Sequence, residues 1–189
     1  MESKNKVIFI EPLTRIEGHL GIHAVADIEA KKYTDAHSYA PMFRGFEIIL
    51  KGREPADAIW ITQRICGVCP TPHGLASTEC IDMTYQAPPP PFATAIRDFT
   101  LIAEQLYDAS LGCGILQGPD YCETVVKKFN PEWWSEAQGR KAERSDLHGY
   151  STIADIMTAL TPFTGSLWLK CLQMAKLGRK MNIIFLSLI

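Results

Sequence analysis

Leu20-Gly21-Ile22-His23-Ala24-Val25-Ala26-Asp27-Ile28 carries the plainest period of two in the chain. Its even positions are Leu, Ile, Ala, Ala and Ile, the pattern of a strand with one face on a core. Towards the amino terminus, Val7 to Ile10 is a short β-branched run closed by Glu11-Pro12, a further strand ending at a turn. On the other side Lys31-Lys32 makes a turn, and Tyr33 to Tyr39 returns as the partner arm of a hairpin. After Pro41 the period changes. Phe46, Ile49 and Leu50 predict a short helix stopped near Gly52, and Pro55 opens a second towards Arg64. Cys66 to Pro72, with Gly67 and two prolines, reads as a turn leading into another helix.

Pro88 to Pro91 is a stiff extended linker. Beyond it Phe92, Ile96, Phe99, Ile102, Ala103, Leu106 and Ala109 recur at spacings of three and four, an apolar helical stripe expected to face a core. Further helices are expected after Pro119, across Glu132 to Arg144, over Thr152 to Leu160, and from Ser166. The fold class is therefore mixed α/β, a small antiparallel β portion at the front followed by a mainly helical body. We expect a single incomplete domain over 1–189: a β portion at 1–40, a helical body at 41–181, and a divergent apolar tail at 182–189.

Composition excludes several classes. With 47% hydrophobic and 21% charged residues the chain of 189 is globular rather than disordered. A net charge of -2 gives no reason to expect nucleic acid as a partner. No secretory leader and no span of about 20 apolar residues is visible, so the expected location is the cytoplasm, with any membrane attachment through partner subunits. The six cysteines are Cys66, Cys69, Cys80, Cys113, Cys122 and Cys171, expected as reduced thiols in a chain too large to need staples.

Arg64-Ile65-Cys66-Gly67-Val68-Cys69, followed by His73, is the sharpest local motif. Two cysteines two residues apart can aim both sulfurs at one metal, and Gly67 lets the backbone bend around it. Thiolates are soft, so spacing alone admits nickel, zinc, iron or copper(I). Arg64 is placed to lower the thiol pKa values, and His73, about one helical turn past Cys69, to donate a hydrogen bond to a bound sulfur. By itself the pair also admits a thioredoxin-like redox couple, a structural zinc site with Cys80, or plain buried cysteines. Cys80, Cys113, Cys122 and Cys171 are expected as buried small apolar groups. Trp133-Trp134 is expected in the core or at a subunit interface.

Glu11-Pro12-Leu13-Thr14-Arg15-Ile16-Glu17-Gly18-His19 resembles the opening signature of nickel–iron hydrogenase large subunits. Met42 to Arg53 (MFRGFEIILKGR) resembles the segment that follows it, and Ile61 to Cys69 with His73 resembles the family's amino-terminal cysteine motif. Gly118-Pro119-Asp120-Tyr121 and His148 to Asp155 resemble its middle region, so the likeness runs to about Met181. Matches in the right order are more specific than one cysteine pair. The resemblance implies a nickel–iron centre held by four thiolates, the iron also carrying carbon monoxide and cyanide. It implies Cys66 as a terminal nickel ligand, Cys69 as a thiolate bridging the metals, Glu17 as the proton-passing carboxylate, and Glu47 as a ligand to a nearby magnesium. His73 then hydrogen-bonds the bridging sulfur, and Arg64 lies beside the cofactor. The implied substrate is H2, and the implied partner is a small subunit with iron–sulfur clusters. Heterolysis of hydrogen needs an electron-poor metal and a base, a task a buried glutamate with a raised pKa can perform. Magnesium, a hard cation, suits Glu47 rather than the sulfurs.

One departure stands out. The family's other two thiolates come from a second Cys-x-x-Cys pair, and this sequence has only the pair at Cys66 and Cys69. A split gene, a truncated or frameshifted product, and a cofactorless structural relative each account for that. A second polypeptide supplying the missing pair is expected, and the chain alone is expected to be inactive. A non-catalytic structural subunit and a thiol redox protein using Cys66 and Cys69 are the alternatives.

Overall fold

A computed structural model describes residues 5–186. Contacts divide the chain after Lys51 into two compact units. The first holds a three-stranded antiparallel sheet: β1 (Asn5–Ile10), β2 (Gly21–Asp27) and β3 (Lys32–Tyr39), in that spatial order. β2 is central, with Phe9 of β1 and His37 of β3 paired to either side of His23. Ala24 and Ala26, even positions of the alternation, are its buried side chains, whereas β1 and β3 are largely exposed. A bulge at Val25/Ala26 shifts the pairing with β3. The unit closes with α1 (Phe46–Leu50), whose Gly45 takes a left-handed φ of 71° before the helix.

The second unit is helical. α2 (Asp57–Thr62) leads through the cysteine loop to α3 (Pro70–Tyr85), and α4 (Pro91–Ala109) follows the proline linker. A π-helical segment (Ser110–Gln117) and a 3-10 turn (Gly118–Tyr121) come next. α5 (Glu123–Phe129), α6 (Pro131–Gly139), α7 (Ser145–His148), α8 (Ile153–Ala159) and α9 (Ser166–Leu186) complete it. The front hairpin and the helices around the cysteines fall where the sequence places them. The π-helical segment has no counterpart in that reading. It is built where Gly114 lets Cys171 of α9 press in, for a Cβ there would lie 2.3 Å from the Cys171 sulfur.

α4 corrects the stripe. Its buried positions are Thr100, Ala103 and Glu104, while Phe92 and Ile102 stay 77% and 56% exposed. The cause lies in α9, which comes so close that a Cβ on Gly178 would sit 2.9 Å from the Tyr107 Cβ and 3.2 Å from the Ala103 carbonyl oxygen. Such an approach admits small and polar residues on that face and turns the large apolar ones away. α3 and α4 are tied by Arg97 and Asp82, 2.6 Å apart and half-buried.

Of the apolar tail, residues 182–186 extend α9, with Asn182 buried and Phe185 against Phe99 at 4.5 Å between ring centres. Residues 187–189 lie outside the described ones. No helix among the described residues is long and apolar enough to cross a membrane.

Candidate metal centre

The cysteine loop leaves α2 at Gln63 and enters α3 at Pro70, so each sulfur is set by a helix end. Cys69 is the residue before the first turn of α3, and Pro70 starts that turn with its φ already helical. Gly74 follows one turn later and is pressed against Gln63, where a Cβ would meet the Gln63 side chain at 2.8 Å. That contact holds α2 against α3, and Thr62 adds a hydrogen bond from its hydroxyl to the His73 carbonyl at 3.2 Å. The loop between is short and bent, and its backbone donates inward: the Cys69 N–H reaches the Cys66 sulfur at 3.1 Å.

Cys66, Cys69 and His73 converge. One ligand atom from each lies within 4.8 Å of the others, with Cys66 buried and the other two half-buried. Sulfurs bound to one metal ion at about 2.3 Å stand roughly 3.8 Å apart, so modest side-chain rotation closes the set on a metal. Two soft thiols and an imidazole suit nickel and other late transition metals, and exclude magnesium and calcium. The donor set supplies half of a four-thiolate site.

Electrostatics correct one expectation. Cys69 is pushed up to about 12, first by burial, then by the hydrogen bond and charge of Cys66, and last by the Asp108 and Glu104 carboxylates. Arg64 is exposed and is not among the causes, so the anticipated lowering by its charge does not govern this thiol. Burial and neighbouring anions outweigh both Arg64 and the positive end of α3. A bound cation reverses that balance, since a metal displaces the thiol proton outright.

The other cysteines divide. Cys122 is buried at 1% exposure, as expected, and Cys171 is half-buried against Gly114. Cys80 and Cys113 are exposed, against the expectation of burial, because their helical positions point outward from α3 and the π-helical segment. All six are free thiols. Trp133 is exposed, and Trp134 lies beneath the Lys127 ammonium at 4.6 Å.

Glu17 and Glu47 lie in the first unit and the cysteines in the second. Glu17 stands exposed in the bends between β1 and β2, not buried as a proton-passing glutamate was expected to be. Glu47 occupies the first turn of α1, exposed at the end of the helix that favours an anion. A group absent from the sequence reading gathers on the sheet. His23, Asp35 and His37 bring ligand atoms within 4.8 Å, the two imidazoles facing across β2 and β3 at 4.7 Å. The signal was the odd-position alternation of β2 against β3, which a register would have exposed.

A paired-cysteine helix entry with a histidine one turn on is a soft-donor cluster of the class found in thiolate metal-binding proteins. The comparisons give the family. A family model described as nickel-dependent hydrogenase matches residues 44–164, and the chain belongs to that family. The quinone-reactive Ni/Fe-hydrogenase large chain of Wolinella succinogenes is 39% identical over 156 residues, 82% of this chain and 26% of the relative. The periplasmic [NiFeSe] hydrogenase large subunit of Desulfomicrobium baculatum is 35% identical over 75% of this chain and 29% of its own. Among solved structures, the actinobacterial-type NiFe-hydrogenase of Ralstonia eutropha H16 superposes with a TM-score of 0.80 at 38% identity, over 95% of this chain and 32% of that one. The chain thus spans about a quarter to a third of its relatives' length.

Proposed function

We propose that this chain supplies the Cys66–Cys69 half of a nickel–iron centre in a hydrogenase that interconverts H2 with protons and electrons. The convergence of both thiols and His73 within 4.8 Å at the start of α3 carries the proposal. Cys66 and Cys69 would hold the nickel–iron group through their sulfurs, Cys66 as a ligand to nickel and Cys69 as a ligand to both metals, and the group would bring its carbon monoxide and cyanide with it. His73 donates to the shared sulfur and fixes its lone pairs. Arg64 lines the cofactor pocket. Glu17 accepts the proton leaving the substrate, and Glu47 ligates magnesium. The loaded centre supplies the electron-poor site that polarises hydrogen. The missing thiolates come from protein outside these 189 residues, on a second polypeptide, and an iron–sulfur small subunit carries the electrons. The proposed location is the cytoplasm, with any membrane contact made through those partners.

Support comes from the soft donor set and from relatives whose names specify nickel–iron hydrogenase large chains. Metal analysis of the purified assembly tests it. Nickel is expected in the native protein and in Cys113→Ser, whose thiol lies on the exposed side of the π-helical segment, and is expected to vanish in Cys66→Ser. Nickel retained by Cys66→Ser, or missing from the native assembly, sinks the reading.

A further inference from the structure

We infer that Glu104 and Arg179 form a clamp that fixes the cysteine loop, making them positioning residues for Cys66 and Cys69. This role rests on the metal-centre reading above, in that the loop being held is the one that presents the ligands. Arg179 of α9 donates from its guanidinium to the carbonyl oxygen of Val68, the residue between Gly67 and Cys69. Its other terminal nitrogen stands 3.8 Å from a Glu104 carboxylate oxygen, and its guanidinium lies over the Tyr107 ring at 4.1 Å. Glu104 is 2% exposed. The same carboxylate oxygen accepts the Thr71 hydroxyl at 3.2 Å and the Asn182 side-chain amide. Thr71 is the second residue of α3, so one buried carboxylate touches the helix that starts at the cysteines and holds the arginine that grips their loop.

Two features separate this arrangement from ordinary packing. The second Glu104 oxygen and the Asn182 carbonyl oxygen are buried with no hydrogen-bond partner among the described residues. Buried, half-satisfied charge is costly, and an apolar set of equal volume would hold three helices together as well or better. Its retention therefore points to geometry rather than stability. A planar guanidinium reaching a carbonyl and a carboxylate at once sets direction as well as distance. Gly178 makes the reach possible, because its missing side chain lets α9 approach α4 beside Tyr107 and delivers the next residue, Arg179, to Glu104. Asn182 lies past the stretch that resembles the family, yet it is among the most buried side chains of the chain.

The test reads the loop directly. The full chain, in whatever assembly it forms, is produced with nickel withheld, and alkylation of each cysteine is followed by peptide mass spectrometry. Cys66, 9% exposed, reports the loop, and Cys122, 1% exposed and far along the sequence in the same helical unit, reports the fold. Arg179→Met is expected to speed Cys66 alkylation about tenfold or more with Cys122 unchanged, as local opening follows loss of a charge-assisted bond. Glu104→Gln keeps the shape and removes the charge that holds Arg179, so it should loosen the loop in the same way without a lower melting temperature. Arg179→Lys should restore much of the protection. Cys66 as protected in Arg179→Met and Glu104→Gln as in the native chain overturns the clamp, and so does Cys122 rising in step with Cys66. Nickel analysis of the native assembly decides the metal-centre reading separately, because the alkylation needs no metal.

Discussion

At the scale of single residues, the cysteine pair contains one thiol, that of Cys69, which burial keeps protonated. The thiolate is the form that alkylates and the form that binds metal. Cys69, raised to about 12, should therefore show an alkylation rate that climbs through the whole range in which an ordinary thiol, with its pKa near about 8.5, levels off. The sign follows from the cause: burial disfavours the charged form, so the proton is held to higher pH and only a metal removes it near neutrality. A pH series of alkylation on the metal-free chain checks this, and a plateau below pH 9 would contradict it. Cys66, Cys69 and His73 were legible in the sequence because they sit close together along the chain, on one loop and the first turn of the helix it enters. Glu104 and Arg179 were not. They lie 75 positions apart by their numbers, each on an ordinary charged stretch of helix, and only the close approach at Gly178 brings them together.

At the scale of elements, boundaries were more legible than faces. α3 and α4 start at Pro70 and Pro91, which the sequence reading left in the preceding turn and linker, and the alternation around Leu20 to Ile28 places β2. The face of α4 was misjudged because a helix buries whichever side its neighbour reaches, and α9 reaches Thr100, Ala103 and Glu104. α8 gives an element whose end can be tested alone. Thr152 accepts the Asp155 N–H at 3.1 Å, and the Asp155 carboxylate accepts the N–H groups of Ser151 and Thr152 at 3.1 and 2.8 Å. Thr152→Ala is expected to cost about 1 kcal/mol, read as a lower melting temperature. The backbone N–H of Thr152 is the largest influence holding the Asp155 carboxyl below its usual range. A carboxyl depressed in the folded state adds stability above its unfolded pKa and loses it as pH falls through the folded value. Asp155→Asn should thus lower the melting temperature at pH 7 and have little effect well below the ordinary carboxylate range. An equal loss at both pH values would count against the capping role.

At the scale of the whole molecule, what the chain leaves uncovered matters as much as what it buries. The apolar stripe read from Phe92 to Ala109 is real, but Phe92, Ile102 and Leu106 face outward, and Phe99 leans on Phe185 of α9. A face of that kind is a surface suited to a partner. The metal site shows the same incompleteness in chemical form. Cys66 and Cys69 converge with His73, but Cys80 and Cys113 are exposed on other surfaces of their helices, and Cys122 and Cys171 are packed elsewhere in the helical unit. Among the described residues, the one cysteine-containing group of three metal-ligating side chains is Cys66, Cys69 and His73. A four-thiolate nickel–iron centre therefore needs two sulfurs beyond those of these 189 residues. The chain purified by itself is accordingly expected to show no hydrogen uptake with a dye acceptor, even when supplied with nickel. Activity should arise only in the presence of protein that brings a second cysteine pair, and it should be lost again in Cys66→Ser. Clear turnover by the isolated chain would mean that some other ligands complete the site, and the half-centre assignment would have to be abandoned.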